Sequence, residues 1–218
     1  MKYFIVGNAD YAVMIGNYLK NTTKISIDGF TVKGEIIKEH SLNGFPVIPA
    51  ESMQKLYPPD DCSLLMGIGY RRMNQIRETE YRRYKDMGYT FINYIHPTAI
   101  IEKDVVIGEA NNIFEGVIIQ SGVKMGDANN AYGGAMIAHD TQLGSFNFLS
   151  VKACVAGCVH VGNHCFMGAN STVKDHIEIS DYTLIGAGAY ANKSSNPYDV
   201  IAAPKASVLE GRSSLEFI

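Results

Sequence analysis

From Ile95 onward an apolar residue returns at every sixth position without a single insertion. The series runs Ile95, Ile101, Ile107, Ile113, Ile119, Met125, Ala131, Ile137, Leu143, Leu149, Val155, Val161, Met167, Val173, Ile179, Ile185, Ala191. A period of six is neither the 3.6 of an amphipathic helix nor the strict alternation of a half-buried strand. It fits a triangular coil in which each hexapeptide forms one flat side. The recurring residue points inward, and a small or β-branched residue four places on, such as Val117, Ala135, Thr141 or Ala153, eases the corner. Three hexapeptides close one coil, so residue n lies over residue n + 18, and stacked sides form parallel ladders about 4.8 Å apart. The seventeen positions from Ile95 to Ala191 predict between five and six coils.

Residues 1–94 have no such period. Tyr3–Val6 reads as a buried strand, Gly7–Ala12 as a turn into a helix reaching about Asn21, and Ile25–Val32 as a second strand. Leu64–Ile68 follows as a strand, Arg72–Met87 as a charged amphipathic helix, and Thr90–Tyr94 as a last strand. Strand alternating with helix implies a parallel sheet. The segment is short for a full dinucleotide fold and reads as half of one. His96-Pro97 marks the join, since proline disfavours helix before it.

Composition narrows the function. The formal charge of -3 offers no basic footprint for nucleic acid. No run of about 18 apolar residues is present, so no membrane-spanning helix is expected. Asn8 and Asp10 interrupt the apolar N-terminus, which therefore reads as strand and turn rather than a secretion signal. Cys62, Cys154, Cys158 and Cys165 form no CxxC pair and are expected to be reduced thiols of a cytoplasmic protein. His160, His164 and His176 fall at outward repeat positions and read as solvated surface residues, with His40 in a polar linker. No pair of histidines has metal-ligand spacing, and no metal is expected.

The repeat singles out one corner. His139 is followed by Asp140, a carboxylate able to orient an imidazole and stabilise its charged form. One coil on, at the same corner, stands Gly157, whose N–H can approach an oxyanion without a Cβ in the way. On spacing alone two readings stand: a base beside an oxyanion donor, or a surface histidine over a turn glycine. In the N-terminal segment the amides of Gly7, Asn8, Ala9 and Asp10 can face a phosphate at a helix N-terminus. Loops after parallel strands share one crevice. Gly69, Tyr70, Arg71 and Arg72 are expected in it, with Asp28 or Thr31 meeting a base or ribose.

The two halves together resemble the sugar O-/N-acyltransferase family (NeuD/PglD-like) of bacterial surface-glycan pathways. The likeness rests most on Ala138-His139-Asp140-Thr141-Gln142-Leu143-Gly144, then Ala156-Gly157, then Val161-Gly162-Asn163-His164-Cys165-Phe166-Met167-Gly168. It implies an α/β half-Rossmann-like nucleotide-sugar-binding domain over residues 1–94 and a left-handed parallel β-helix acyltransferase domain with a C-terminal tail over residues 95–218. It also implies His139 as base with Asp140, the Gly157 amide as oxyanion donor, acetyl-CoA as acyl donor, and a homotrimer with sites between subunits. Gly168-Ala169-Asn170 and Gly186-Ala187-Gly188 offer small side chains along which pantetheine would run. Ala203-Pro204-Lys205 matches the family's C-terminal segment, making Lys205 a candidate phosphate contact. The chain departs from the family in its first loop, which holds one glycine, and at Phe148, Ser150, Val151 and Lys152, where the family carries a His-led segment.

The expected activity is acetyl transfer to the amine of a nucleotide-linked sugar. O-acetylation of a free sialic-acid-type sugar and a non-catalytic trimeric sugar-binding scaffold are its rivals. Binding of a nucleoside diphosphate separates the first from the second, and retention of His139, Asp140 and Gly157 weighs against the third.

Overall fold

The computed structural model describes residues 1–216. An α/β unit comes first: β1 (Lys2–Val6), α1 (Asp10–Thr22), β2 (Gly29–Val32), β3 (Ser41–Leu42), β4 (Phe45–Pro49), α2 (Ala50–Leu56), β5 (Cys62–Met66), α3 (Gln75–Asp86) and β6 (Thr90–Phe91). The sheet order is β3-β4-β2-β1-β5-β6, parallel except for the β3–β4 hairpin. The central strands β1 and β5 carry apolar runs, at residues 3–6 and 64–66, because both of their faces are covered there. In α1 the inward residues are Ala12, Ile15 and Leu19, at helical spacing. In α3 they are Arg77, Tyr81 and Tyr84, so this helix buries polar-tipped side chains where an aliphatic stripe would be usual.

Several expected boundaries move. The second strand begins at Gly29 rather than Ile25, the third ends at Met66, and the last helix begins at Gln75. Arg72, Met73 and Asn74 have φ of 52°, 49° and 64°, a left-handed run that no α-helix can include. The hairpin and α2 were not anticipated, because Ser41–Pro49 has no clean alternation.

From Tyr94 the chain winds as a parallel β-helix of two-residue rungs, with seven, six and five rungs on its three faces. One face runs from Tyr94–Ile95 to Val200–Ile201 and packs on the α/β unit; we call it the docking face. The next, from Ile100–Ile101 to Tyr190–Ala191, is the apolar face. The third, from Val106–Ile107 to Glu178–Ile179, is the polar face. Rungs pair at a register of 18, as in Met136↔Cys154 and Ile137↔Val155. The hexad residues fill the interior, most of them fully buried. Ile95 is 40% exposed, and Ile101 and Ile107 are half-buried, because the first coil has no coil beneath it.

The corners follow a second rule. Asp140, Cys158 and His176 stack in one column with φ of 56–57°, and Ala110, Ala128, Phe146, His164 and Tyr182 stack in another with φ of 52–61°. Left-handed backbone costs a non-glycine residue about 1 kcal/mol. The coil offsets that cost by ladder hydrogen bonds from the column itself, as in Cys158 N–H to His139 O at 2.9 Å. A buried asparagine ladder adds support: the amides of Asn111, Asn129 and Asn147 donate to Oδ1 of Asn93, Asn111 and Asn129, each at 2.8 Å.

The docking face meets the α/β unit through polar contacts. Asn112 Nδ2 donates to Met66 O at 2.8 Å, and Arg77 Nη1 to Ala128 O at 2.9 Å. Burial lowers Arg77 from its usual range to about 10. His164, expected on the surface, is only 5% exposed. Its Nδ1 lies 3.0 Å from Met73 O and its Nε2 3.0 Å from Glu78 Oε2, and its ring stacks between Phe146 and Tyr182. The outward repeat position does face away from the coil, but there it meets α3 rather than water.

Candidate active site

His139 stands on the corner between the apolar and polar faces. Its Nδ1 lies 3.0 Å from Asp140 Oδ2, and both side chains are open to solvent. Its amide donates to Gln120 Oε1 at 3.0 Å, a contact made one coil below that the sequence reading did not single out. The ring lies against Gly157: a Cβ built there would come within 2.6 Å of Nε2 and 2.7 Å of Cε1. The carbonyl of Gly157 accepts from His176 N–H at 3.2 Å, whereas its own N–H has no acceptor among the described residues. With Nδ1–H held by a carboxylate, the Nε2 lone pair is free to take a proton, and a free amide lies beside it.

Cys158 joins this corner. Its Sγ, a ring nitrogen of His139 and a carboxylate oxygen of Asp140 all lie within 4.8 Å of one another. Histidine spacing along the chain, on which the expectation of no metal rests, does not reveal this juxtaposition. It arises because Asp140 and Cys158 are one coil apart and therefore stacked.

The second constellation lies in the α/β unit. A crevice of about 580 Å³ is lined by Gly7, Asn8, Ala9, Asp10 and Tyr11 after β1, and by Gly67, Ile68, Gly69, Tyr70 and Arg71 after β5. Val32, Lys33, Ile36, Ile76 and Glu80 complete it. Gly7, at φ 129°, abuts Gly67: a Cβ at residue 7 would stand 2.5 Å from Gly67 O, and one at residue 67 would stand 2.8 Å from Val6 O. The two strand ends thus approach through a glycine pair that the single glycine of the first loop did not reveal. Tyr70 packs on Phe148 and Phe166 of the docking face at 4.9 and 5.2 Å between centroids, so Phe148 is part of the wall behind the crevice.

Asp28 and Thr31 do not line this crevice. Asp28 precedes β2, at the opposite end of the sheet, where it pairs with Lys2 at 2.7 Å and accepts from Tyr3 N–H at 2.9 Å. Thr31 is fully buried and its Oγ1 lies 2.8 Å from Tyr84 Oη. Lys33, the residue that follows the strand, takes the position expected of them. Arg71 lies in the crevice, whereas Arg72 is in the left-handed turn beyond it.

Ala169, Gly186 and Ala187 sit on the corner between docking and apolar faces, a full face away from His139 in the same chain. Gly168 leaves no channel, since a Cβ there would strike the backbone of Gly186 and Ala187; Gly188 faces open space. Lys205 is exposed in the tail after the last rung. Within one chain, then, the His139 corner, the small-residue corner and the crevice are separate. The crevice borders the docking face, and His139 is on the edge of the prism opposite that face.

No helix among the described residues is long and apolar enough to cross a membrane. No protein-family model matches the chain, and no curated protein matches it in sequence. Solved structures match its fold over 93% of its length. The acetyltransferase domain of PglB from Neisseria gonorrhoeae is 20% identical over 96% of that chain, with a TM-score of 0.81, and has been solved in complex with acetyl coenzyme A. PerB from Caulobacter crescentus, solved in complex with CoA and GDP-perosamine, is 24% identical over 94% of that chain, with a TM-score of 0.82. WeeI from Acinetobacter baumannii is 20% identical over 97% of that chain, with a TM-score of 0.79. At these identities the likeness speaks for the fold: a Rossmann-like α/β unit followed by a left-handed parallel β-helix.

Proposed function

We propose that this chain transfers an acetyl group from acetyl-CoA to the amine of a nucleotide-linked sugar, with His139 as general base. The observation that carries the reading is the corner itself: a carboxylate-held imidazole lying on a glycine whose N–H is unpaired. The neutral amine attacks the thioester carbonyl carbon, and the carbonyl oxygen becomes an oxyanion beside the Gly157 amide. His139 Nε2 takes the proton that the attacking nitrogen sheds, while Asp140 stabilises the imidazolium. The C–S bond then breaks, and the CoA thiolate leaves with that proton. The crevice takes the nucleotide: amides of residues 7–10 at the N-terminus of α1, with Lys33 and Arg71, suit a diphosphate. The donor and acceptor classes are those held by the similarly folded PglB domain and PerB.

The separation of crevice and base within one chain supports a site completed by a second copy. The outward residues of the apolar face are Ile100, Ile118, Met136, Cys154, Thr172 and Tyr190, and Ile100 and Tyr190 are each 57% exposed. The polar face begins with the exposed Val106 but above it shows Lys124, Gln142, His160 and Glu178. A continuous apolar face on a folded chain marks an interface. Its burial in a homotrimer brings a neighbour against the His139 corner.

Mass spectrometry of UDP-, dTDP- and GDP-linked amino sugars and free sialic acid, each incubated with acetyl-CoA, tests the reaction. An acetyl gain on a nucleotide-amino sugar, lost in His139→Ala, is expected. A gain only on sialic acid would replace the reading with O-acetylation, and a gain on no substrate would favour a scaffold. Subunit mixing tests the shared site. Inactive His139→Ala and inactive Arg71→Glu chains, refolded together, are expected to regain activity; failure of every mixture would place base and crevice in one subunit's service.

A further inference from the structure

We infer that the His139 corner is also a binding site for a soft divalent cation, Zn2+ in the first instance, and that occupancy shuts the acetyl transfer off. The ligands are His139, Asp140 and Cys158. One ligand atom from each lies within 4.8 Å of the others, and His139 and Asp140 are already 3.0 Å apart. Zinc bonds of about 2.0–2.3 Å to nitrogen, oxygen and sulfur put ligand atoms about 3.3–3.6 Å from one another in a tetrahedron. Closing the remaining gap needs only side-chain rotation, and His139 and Asp140 are 59% and 66% exposed, free of packing that would resist it.

The backbone prepares the arrangement. Asp140 and Cys158 occupy the same left-handed position in consecutive coils, with φ of 56° and 57°, so their side chains leave the corner in parallel. The hydrogen bond from Cys158 N–H to His139 O, 2.9 Å long, locks the two coils at that level. Gly157, between the ligands in the stack, adds no side chain to obstruct them. Three protein ligands leave the fourth tetrahedral position to water. A thiolate and an imidazole together select Zn2+ over Mg2+ or Ca2+, which prefer oxygen.

Coordination consumes the imidazole lone pair that the transfer needs. The binding claim stands without the proposed reaction; the inhibitory claim rests on it. The two are separated by measuring them independently on the full chain. Titration with Zn2+ against a chromophoric chelator is expected to give one site per chain, unaffected by excess Mg2+. Cys158→Ser is expected to weaken it by about tenfold or more. Co2+ is expected to give a near-ultraviolet thiolate charge-transfer band that the Cys158→Ser protein lacks. No stoichiometric binding, or binding and band unchanged by Cys158→Ser, overturns the site. In the acetyl-transfer assay, Zn2+ is expected to inhibit the wild type reversibly with chelator, and to inhibit the Cys158→Ser enzyme, each measured against its own metal-free rate, at least about tenfold less strongly. Equal inhibition of both enzymes overturns the regulatory role even if the metal binds.

Discussion

The imidazole of His139 rests on the α-carbon of Gly157, one coil above it, with no room for even a methyl group between them. Replacing Gly157 by alanine therefore has to push the ring aside. Because His139 is 59% exposed, the ring can yield without unfolding anything. Gly157→Ala is expected to lower kcat/KM for acetyl transfer by about 100-fold, about 2.7 kcal/mol of transition-state stabilisation, with Tm nearly unchanged. Equal activity in the variant would show that the ring position does not matter.

Asp140 combines a left-handed backbone with the carboxylate on His139 Nδ1. Asparagine tolerates that backbone and can still reach the ring, but it brings no charge to stabilise an imidazolium. Asp140→Asn is expected to reduce kcat by roughly 10- to 100-fold while leaving the KM for the sugar nucleotide in place. Steady-state kinetics with the acceptor varied would expose a change confined to KM, which would contradict this role.

The asparagine ladder is a stability device remote from the proposed chemistry. Asn129→Ala removes the Oδ1 that accepts from Asn147 N–H and the Nδ2–H given to Asn111, all at fully buried positions. Stranding a buried amide costs about 1–3 kcal/mol, and the loss should appear in full in urea unfolding, with activity per folded molecule preserved.

Thiol reactivity offers a map of the fold. Burial pushes the Cys62 thiol up to about 11 and the Cys165 thiol up to about 12. At pH 8 the thiolate fraction of either is then roughly one part in a thousand or less. Native alkylation with iodoacetamide, read by peptide mapping, is expected to label Cys158 first and to spare Cys62 and Cys165 until the protein unfolds. Early labelling of Cys165 would mean that the upper coils open readily.

Much of this molecule is legible in its sequence because the coil is periodic. One phase of apolar residues fixes the interior from Ile113 to Ala191, and adding 18 to His139 finds Gly157. The same addition applied to Asn93 would have found the ladder, and applied to Asp140 it would have found Cys158. The α/β unit has no such rule. A strand beginning at Ile25 would carry Asp28 within it; β2 begins at Gly29, which puts Asp28 before the strand, and it ends at Val32, which puts Lys33 after it. His164 points outward from the coil, yet outward from the coil is not outward from the protein. Only the packing of α3, a helix whose buried face is Arg77, Tyr81 and Tyr84, explains why a histidine there is enclosed.

The register of 18 also constrains how such a chain can vary in length. The α/β unit is fastened at particular heights, through Asn112, Ala128 and His164. An insertion of six residues between Ala128 and His139 would turn His139, and the His164 anchor above it, a third of the way round the prism, onto a different edge. An insertion of eighteen would keep its edge and raise it by one rung, about 4.8 Å. Tolerated length changes in this segment are thus quantised. The coil behaves as a vernier, on which a base can be shifted against a fixed crevice only in whole turns.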